Sequence, residues 1–175
     1  ASLAQGFDLL VRPLVKSDNH IVSSTSIRAL IKEGKILSAN KLLGRDFTIE
    51  GKVVHGAGRG NGLGFPTANI EFVNQDLVVP ANGVYAVTVQ SSEFTARGMA
   101  NIGLSPTFGD IKKKRLEVNI FDFNANIYGM KLKVVLNKYI RDEVKFDSIN
   151  ELLFKMKQDD IYWVLLIFMV ECISI

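Results

Sequence analysis

The sequence predicts a mainly β domain, an antiparallel sheet closed as a barrel with short helices before it and one after it. Three observations carry that prediction. Between Asp46 and Ile140, six stretches alternate polar and apolar residues or run in β-branched and aromatic residues. Turn chemistry separates them, as in Pro80-Ala81-Asn82-Gly83 and Ser91-Ser92-Glu93, and no helical pattern intervenes. Helical spacing is confined to the two ends. With 175 residues, 47% hydrophobic and 22% charged, the chain suffices for one domain with its own core, or a small domain plus an attachment.

Residues 1–20 hold an apolar patch from Phe7 to Val15, broken by Pro13, and then a polar turn, Lys16-Ser17-Asp18-Asn19-His20. They do not read as an independent unit. Next, Ser23 or Ser24 can cap a helix through Ile27, Leu30 and Ile31 that Gly34 closes. A second helix, about Leu37 to Leu43, ends at Gly44. The period then changes. Phe47, Ile49, Val53 and Val54 belong to the first strand, and Thr67 to Phe72 form the second. Gly83 to Val89 is the third and pairs with Phe94 to Asn101. Leu116 to Phe123 and Lys131 to Ile140 are the last pair, joined by Asn124 to Gly129. A final helix, capped by Asp147 or Ser148, starts at Ile149 and runs into Ile161 to Val170, ten apolar residues. A bilayer span needs roughly 20 such residues, so a buried last helix is expected, with a sticky, atypical terminus as the alternative.

The charge is modest. A net charge of +3 suits an anionic partner such as a nucleotide but does not imply nucleic acid. The single cysteine, Cys172, excludes an intrachain disulfide, and nothing argues for an oxidising compartment. The opening residues lack the order of a signal peptide, and the missing initiator Met hints at a fragment or processed chain.

The chemistry gathers in Gly51 to Phe72, where Gly56, Gly58, Gly60, Gly62 and Gly64 lead through Phe65-Pro66 into Thr67-Ala68-Asn69. No Gly-Lys-Ser/Thr ending follows, so this is not a P-loop. A dinucleotide fingerprint needs a helix after the glycines, whereas Pro66 and the alternation beyond it call for a strand. What remains is a loop whose N–H groups can nest an anion. Thr67 and Asn69 share one strand face, and two neutral oxygen ligands there suit Mg²⁺, which completes its shell with water and phosphate; alternatively they only tie down the loop. On the fifth strand Leu116, Val118 and Ile120 lie on one face and Glu117, Asn119, Phe121 and Phe123 on the other. Glu117 can accept a proton from a hydroxyl nucleophile if it sits in a cleft; a solvated strand glutamate is the bland alternative. Lys112-Lys113-Lys114-Arg115 reads as a solvated turn. Arg141 can reach a phosphate or pair with its acidic neighbours. His20 and His55 are isolated, so no transition-metal cluster is expected.

Taken together these residues resemble the riboflavin kinase domain of bacterial bifunctional riboflavin kinase/FMN adenylyltransferases. The matching text is Leu43-Gly44-Arg45, GKVVHGAGRGNGLGFPTANI, PANGVYAV, MANIGLSPTFGD, LEVNIFDFNANIYG and IRDEVKFDSINEL, about residues 42 to 160. The resemblance implies a six-stranded Greek-key barrel and transfer of the ATP γ-phosphoryl group to the 5′-hydroxyl of riboflavin, giving FMN. It implies that Thr67 and Asn69 hold Mg²⁺ and the ATP phosphates, and that Gly56, Gly58, Arg59, Gly60, Gly62, Gly64 and Pro66 wrap the nucleotide. Glu117 would be the general base, and Arg141 to Phe146 would flank the flavin. Residues 22–28, VSSTSIR, resemble the Ser-Ser-Thr-x-x-Arg signature near the end of the same enzymes' adenylyltransferase domain, whose His-x-Gly-His half is absent here. The implied division is a remnant of that domain over 1–44, a kinase barrel over 45–160 and an atypical apolar tail over 161–175. The expected setting is cytoplasmic, without nucleic acid or a membrane span, with the adenylyltransferase domain supplied by a longer parent chain. A non-catalytic barrel binding flavin, nucleotide or nucleic acid is the alternative; the scattered basic residues disfavour its nucleic-acid form.

Overall fold

The computed structural model describes residues 16–17, 20–56, 67–74, 76–105 and 113–144, together with 151, 154–155 and 158–159. Its elements are β1 (Lys16–Ser17), β2 (His20–Ile21), α1 (Ser24–Lys32), α2 (Ile36–Leu43), β3 (Phe47–Val54), β4 (Thr67–Phe72), β5 (Gly83–Gln90), β6 (Thr95–Ser105), β7 (Lys113–Ile120) and β8 (Lys131–Arg141). The last six form a closed barrel in the order β3-β4-β7-β6-β5-β8, every neighbouring pair antiparallel. The expected barrel is present, and β4 beside β7 gives it the Greek-key order. Among the described residues, no helix is long and apolar enough to cross a membrane.

Alternation fills the barrel. Ile49 and Val53 of β3, Ala68 and Ile70 of β4, and Leu116 and Val118 of β7 are buried in one core with Val87, Val89, Ile102, Val134 and Leu136. The helices extend that core. Ile31, Ile36 and Ala39 are buried in the same cluster, so α1 and α2 pack on the barrel. Asn40 fixes them there: its Oδ1 accepts from the Phe47 N–H at 2.8 Å and its Nδ2 donates to the Leu136 carbonyl at 3.2 Å. One side chain thereby stitches α2 to both strands of the closing seam, β3 and β8. The helix ends follow their local chemistry. Ser23 is the cap of α1 in a reciprocal capping box with Ser26, and Gly44 ends α2 at φ 66°.

Some details differ from the sequence reading. Lys16–Ser17 pairs with His20–Ile21, so Lys16, Ser17 and His20 of the expected polar turn are strand, in a ladder too short to show a period, while Asp18 and Asn19 lie outside the described residues. The strand expected from Leu116 to Phe123 stops at Ile120, because Asp122 takes φ 51° and breaks the extended path. Phe123 then packs on Phe94, ring centroids 4.4 Å apart, instead of standing beside Glu117. Three residues of the basic run are strand rather than turn: Lys113, Lys114 and Arg115 begin β7, and Lys112 lies outside the described residues. Lys114 reaches the barrel end, where its Nζ donates to the Pro80 carbonyl at 3.3 Å and to Asn82 Oδ1. Burial lowers its pKa there, against an opposing pull from Glu143. Of the expected final helix, Glu151, Phe154, Lys155, Gln158 and Asp159 are helical, and the apolar run 161–170 lies outside the described residues.

Candidate functional site

The outer face of three adjacent strands, β4, β7 and β6, carries the polar residues that the sequence singled out. Alternation puts Ala68 and Ile70 inside the barrel, which turns Thr67 and Asn69 outward; the same rule turns Glu117 and Asn119 outward between Leu116, Val118 and Ile120. Register then sets them side by side. Asn69 stands directly opposite Glu117, and Thr67 opposite Asn119. On the other flank of β7, Glu117 faces Asn101 and Asn119 faces Met99. Directly opposed side chains begin about 4.5–5.5 Å apart at Cβ. An oxygen donor pair and a carboxylate thus meet within reach of one small group.

Glu117 is three-quarters buried, its side chain 25% exposed, and pairs with Arg115 on its own strand at 3.4 Å. The arginine holds the carboxylate along the sheet surface. Asn69 is held from the other side. The backbone at Gly56 lies so close that a Cβ there would collide with the Asn69 side-chain amide. A larger residue at 56 would have to displace that amide. Gly56 thus joins Thr67, Asn69 and Glu117 in one place. Gly58, Arg59, Gly60, Gly62, Gly64, Pro66 and Phe146 lie outside the described residues.

Below this face the barrel end opens into a cleft of about 290 Å³. Val53, Ala68, Val118 and Ile120 floor it, Thr67 stands on its rim, and residues 123–128 form a wall. Tyr128 of that wall stacks on His55 with ring centroids 3.9 Å apart and planes 23° from parallel. An apolar floor beside an aromatic pair suits a flat heterocycle. From this cleft, β7 leads through Asn119 and Glu117 to Arg115, away from the cleft.

At that far end the sequence reading needs correcting. It offered Arg141 a phosphate or its acidic neighbours, whereas the carboxylate that Arg141 grips is Asp159. Its Nε and Nη2 donate to Asp159 Oδ2 at 3.0 and 2.7 Å, while Nη1 donates to the Asp142 carbonyl. Asp159, 3% exposed, is a partner that sequence reasoning missed, since no spacing links a strand end to a helix 18 residues later. The fork ties the last helix to the barrel. Glu143, which the sequence offered only as an acidic neighbour of Arg141 within the segment 141–146, lies over Gly103 and accepts from Asn101 Nδ2 at 3.0 Å. In the VSSTSIR segment, Ser23 and Ser26 spend their hydroxyls on the start of α1, and Arg28 Nη1 donates to Ser24 Oγ at 3.4 Å.

The donor set can be judged as a metal site. Among the described residues no three His, Cys, Asp or Glu side chains cluster for a metal. Thr67, Asn69 and the nearby Glu117 instead offer hard oxygens beside a glycine cradle, a set that fits Mg²⁺ arriving with a polyphosphate.

Comparison with known proteins places the chain in a family. The Flavokinase (riboflavin kinase) family model matches residues 43–163. A bifunctional riboflavin kinase/FMN adenylyltransferase of Listeria monocytogenes is 42% identical over 139 residues, 79% of this chain and 44% of that protein. The Escherichia coli K12 protein of the same name is 38% identical over 162 residues, 92% of this chain and 51% of its own. The chain spans about half the length of these relatives. A solved Streptococcus pneumoniae structure described as a macrolide-efflux protein shares the fold at TM-score 0.81 and 41% identity, covering 90% of this chain and 52% of that one.

Proposed function

The chain belongs to the riboflavin kinase family, and from that premise we propose that it transfers the γ-phosphoryl group of ATP to the 5′-hydroxyl of riboflavin. The products are FMN and ADP. One observation carries the reading: Asn69 and Glu117 are direct cross-strand partners, with Thr67 on the same face. A metal-and-phosphate ligand and a proton acceptor thereby adjoin across one ladder step.

The residues divide the work. The cleft beside Thr67 takes the adenine, against Val53 and Ala68 and under Tyr128. The backbone at Gly56 and the glycines after it wrap the phosphates. Thr67 and Asn69 hold Mg²⁺, which supplies neutralisation of the phosphate charge when bound. Glu117 accepts the proton of the riboflavin hydroxyl as its oxygen bonds to the γ-phosphorus. The bond from that phosphorus to the β–γ bridging oxygen breaks, and ADP leaves with the electron pair. Positioning is most of the catalysis, because phosphoryl transfer asks little covalent chemistry of the protein. Arg141 and the residues after it bound the flavin end. There Arg141 acts by fixing the last helix through Asp159 rather than by touching phosphate.

Residues 1–44 are assigned to the end of an adenylyltransferase domain, and FMN adenylylation to a longer parent chain that completes it. The barrel over 45–160 is the kinase unit, followed by the apolar tail at 161–175. The setting is the cytoplasm, where ATP is made available.

The test is direct. The chain is incubated with riboflavin, ATP and Mg²⁺, and FMN is sought by chromatography. FMN dependent on all three is the expected result. Flavin binding without FMN would sink the proposal in favour of a non-catalytic flavin-binding barrel.

A further inference from the structure

The outer face holds a buried polar atom that the phosphoryl-transfer scheme leaves unused. Asn101 Oδ1 is inaccessible to solvent and has no hydrogen-bond partner among the described residues. A buried carbonyl oxygen without a donor is disfavoured, and natural sites keep one where a ligand completes it. Its surroundings show which way it is turned. Glu143 follows β8, and β8 is separated from β6 by β5; β7, with Glu117, flanks β6 on the opposite side. The Glu143 carboxylate reaches over β6 at Gly103, two residues along the strand from Asn101, while Glu117 faces Asn101 across the ladder from β7. Asn101 Nδ2 donates to Glu143 Oε1 at 3.0 Å. Flipping the amide would set Oδ1 against that carboxylate, acceptor to acceptor, so Glu143 fixes the orientation. The carbonyl edge is thus turned away from Glu143, on a residue whose direct cross-strand neighbour is Glu117.

Glu143 is itself seated by the absence of a side chain. A Cβ on Gly103 would collide with Glu143 Oε1, so glycine there lets the carboxylate lie against β6. Gly103 and Asn101 are alternate residues on the same face of that strand. The glycine, the amide and the carboxylate form one unit.

We propose that Asn101, oriented by Glu143, anchors the hydroxyl adjacent to the one that is phosphorylated. The inference rests on the kinase reading of this site. Glu117 and Asn101 Oδ1 are acceptors on neighbouring strands, and two acceptors side by side require two donors. A vicinal diol supplies them: the reacting hydroxyl gives its hydrogen to Glu117 and its neighbour gives one to Asn101 Oδ1. In riboflavin these are the 5′- and 4′-hydroxyls of the ribityl chain. Asn101 selects for a polyol and aligns the terminal oxygen, and Glu143 is a positioning residue acting through it.

The test pairs riboflavin with its 4′-deoxy analogue, in the wild-type chain and in Asn101→Ala, Glu143→Ala and Glu143→Gln. In wild type, losing the 4′-hydroxyl should lower kcat/KM about 10- to 100-fold, as expected when a buried acceptor loses its donor. Asn101→Ala should lower riboflavin turnover by a similar factor and should no longer distinguish the two flavins. Glu143→Ala should behave likewise, whereas Glu143→Gln, whose amide oxygen still accepts from Asn101 Nδ2, should keep the discrimination. Equal use of both flavins by wild type overturns the proposal, as does undiminished discrimination in Asn101→Ala. Glu143 is exposed, so its two variants decide the matter if Asn101→Ala does not fold. Quenching of flavin fluorescence on binding reads the same discrimination without turnover. A chain that binds riboflavin over the deoxy analogue yet makes no FMN refutes the kinase reading and supports the anchor. A chain that makes FMN from both flavins alike does the reverse.

Discussion

The two faces of the strands β4, β7 and β6 are made of the same backbone and do different jobs. Inward, Ala68, Ile70, Leu116, Val118, Ala100 and Ile102 are at most 9% exposed and belong to one apolar cluster. Outward, residue for residue between them, stand Thr67, Asn69, Glu117, Asn119 and Asn101. Burial of the first set holds the ladder in register, and the register spaces the second set. Function is therefore rigid here without being buried in the core. The comparison teaches that the two faces should separate under mutation: inner changes should melt the protein, and outer ones should silence it.

Glu117→Gln tests the outer face most severely. General-base catalysis contributes about 10²–10⁴-fold, so FMN production should fall by that order while the thermal midpoint stays put. A variant with near wild-type turnover would remove Glu117 from the mechanism. On the inner face, Leu116→Ala should cost about 2–5 kcal/mol of stability, visible in urea unfolding, with kcat retained in the fraction still folded. Arg141→Ala sharpens the division, since Arg141 is polar yet predicted to act structurally. Stranding the nearly buried Asp159 carboxylate should cost about 3 kcal/mol, the low end for a broken buried pair. A large loss of ATP affinity with unchanged stability would instead return Arg141 to the phosphates. Thr67→Ala should raise the Kd for Mg-ATP roughly tenfold, the worth of one charge-assisted contact, and calorimetry with and without Mg²⁺ measures it. Smallest is Ser23→Ala, far from both faces, which removes the cap of α1 and should cost about 1 kcal/mol without touching turnover.

The inner face was largely legible in the sequence, and the outer face only in part. Ile49, Ile70, Val118 and Val134 announce themselves by a period of two, and Ser23 and Gly44 mark helix ends by their own chemistry. Thr67, Asn69 and Glu117 stood out as oxygen ligands on strands. What brings them together is register. Periodicity within β4 or within β7 says nothing about which residue of one will face which residue of the other, so the pairing of Asn69 with Glu117 was invisible; the same holds for Asn101 beside Glu117. Lys114 misled because a basic run before a strand resembles a turn, and only the fold shows the Pro80 carbonyl that accepts from it. Asp159, and the partner of Glu143, were hidden for a related reason. The partners of both carboxylates lie across the barrel surface, and a carboxylate carries no local sign of what it will meet.

The closing seam has a consequence for how the molecule comes into being. β8 pairs on one edge with β3, Phe47 opposite Leu136, and on the other with β5. During synthesis the ribosome delivers β8 last of the six strands, so until it emerges the sheet has two raw edges and no closed interior. Contacts so distant along the chain make for slow folding. Exposed strand edges meanwhile invite pairing with a neighbouring nascent chain. Asn40, already waiting on α2 with an acceptor for β3 and a donor for β8, gives the late-arriving β8 a docking point beside β3. The residue that stitches the finished barrel is thus also placed to shorten the interval in which the unfinished one is at risk.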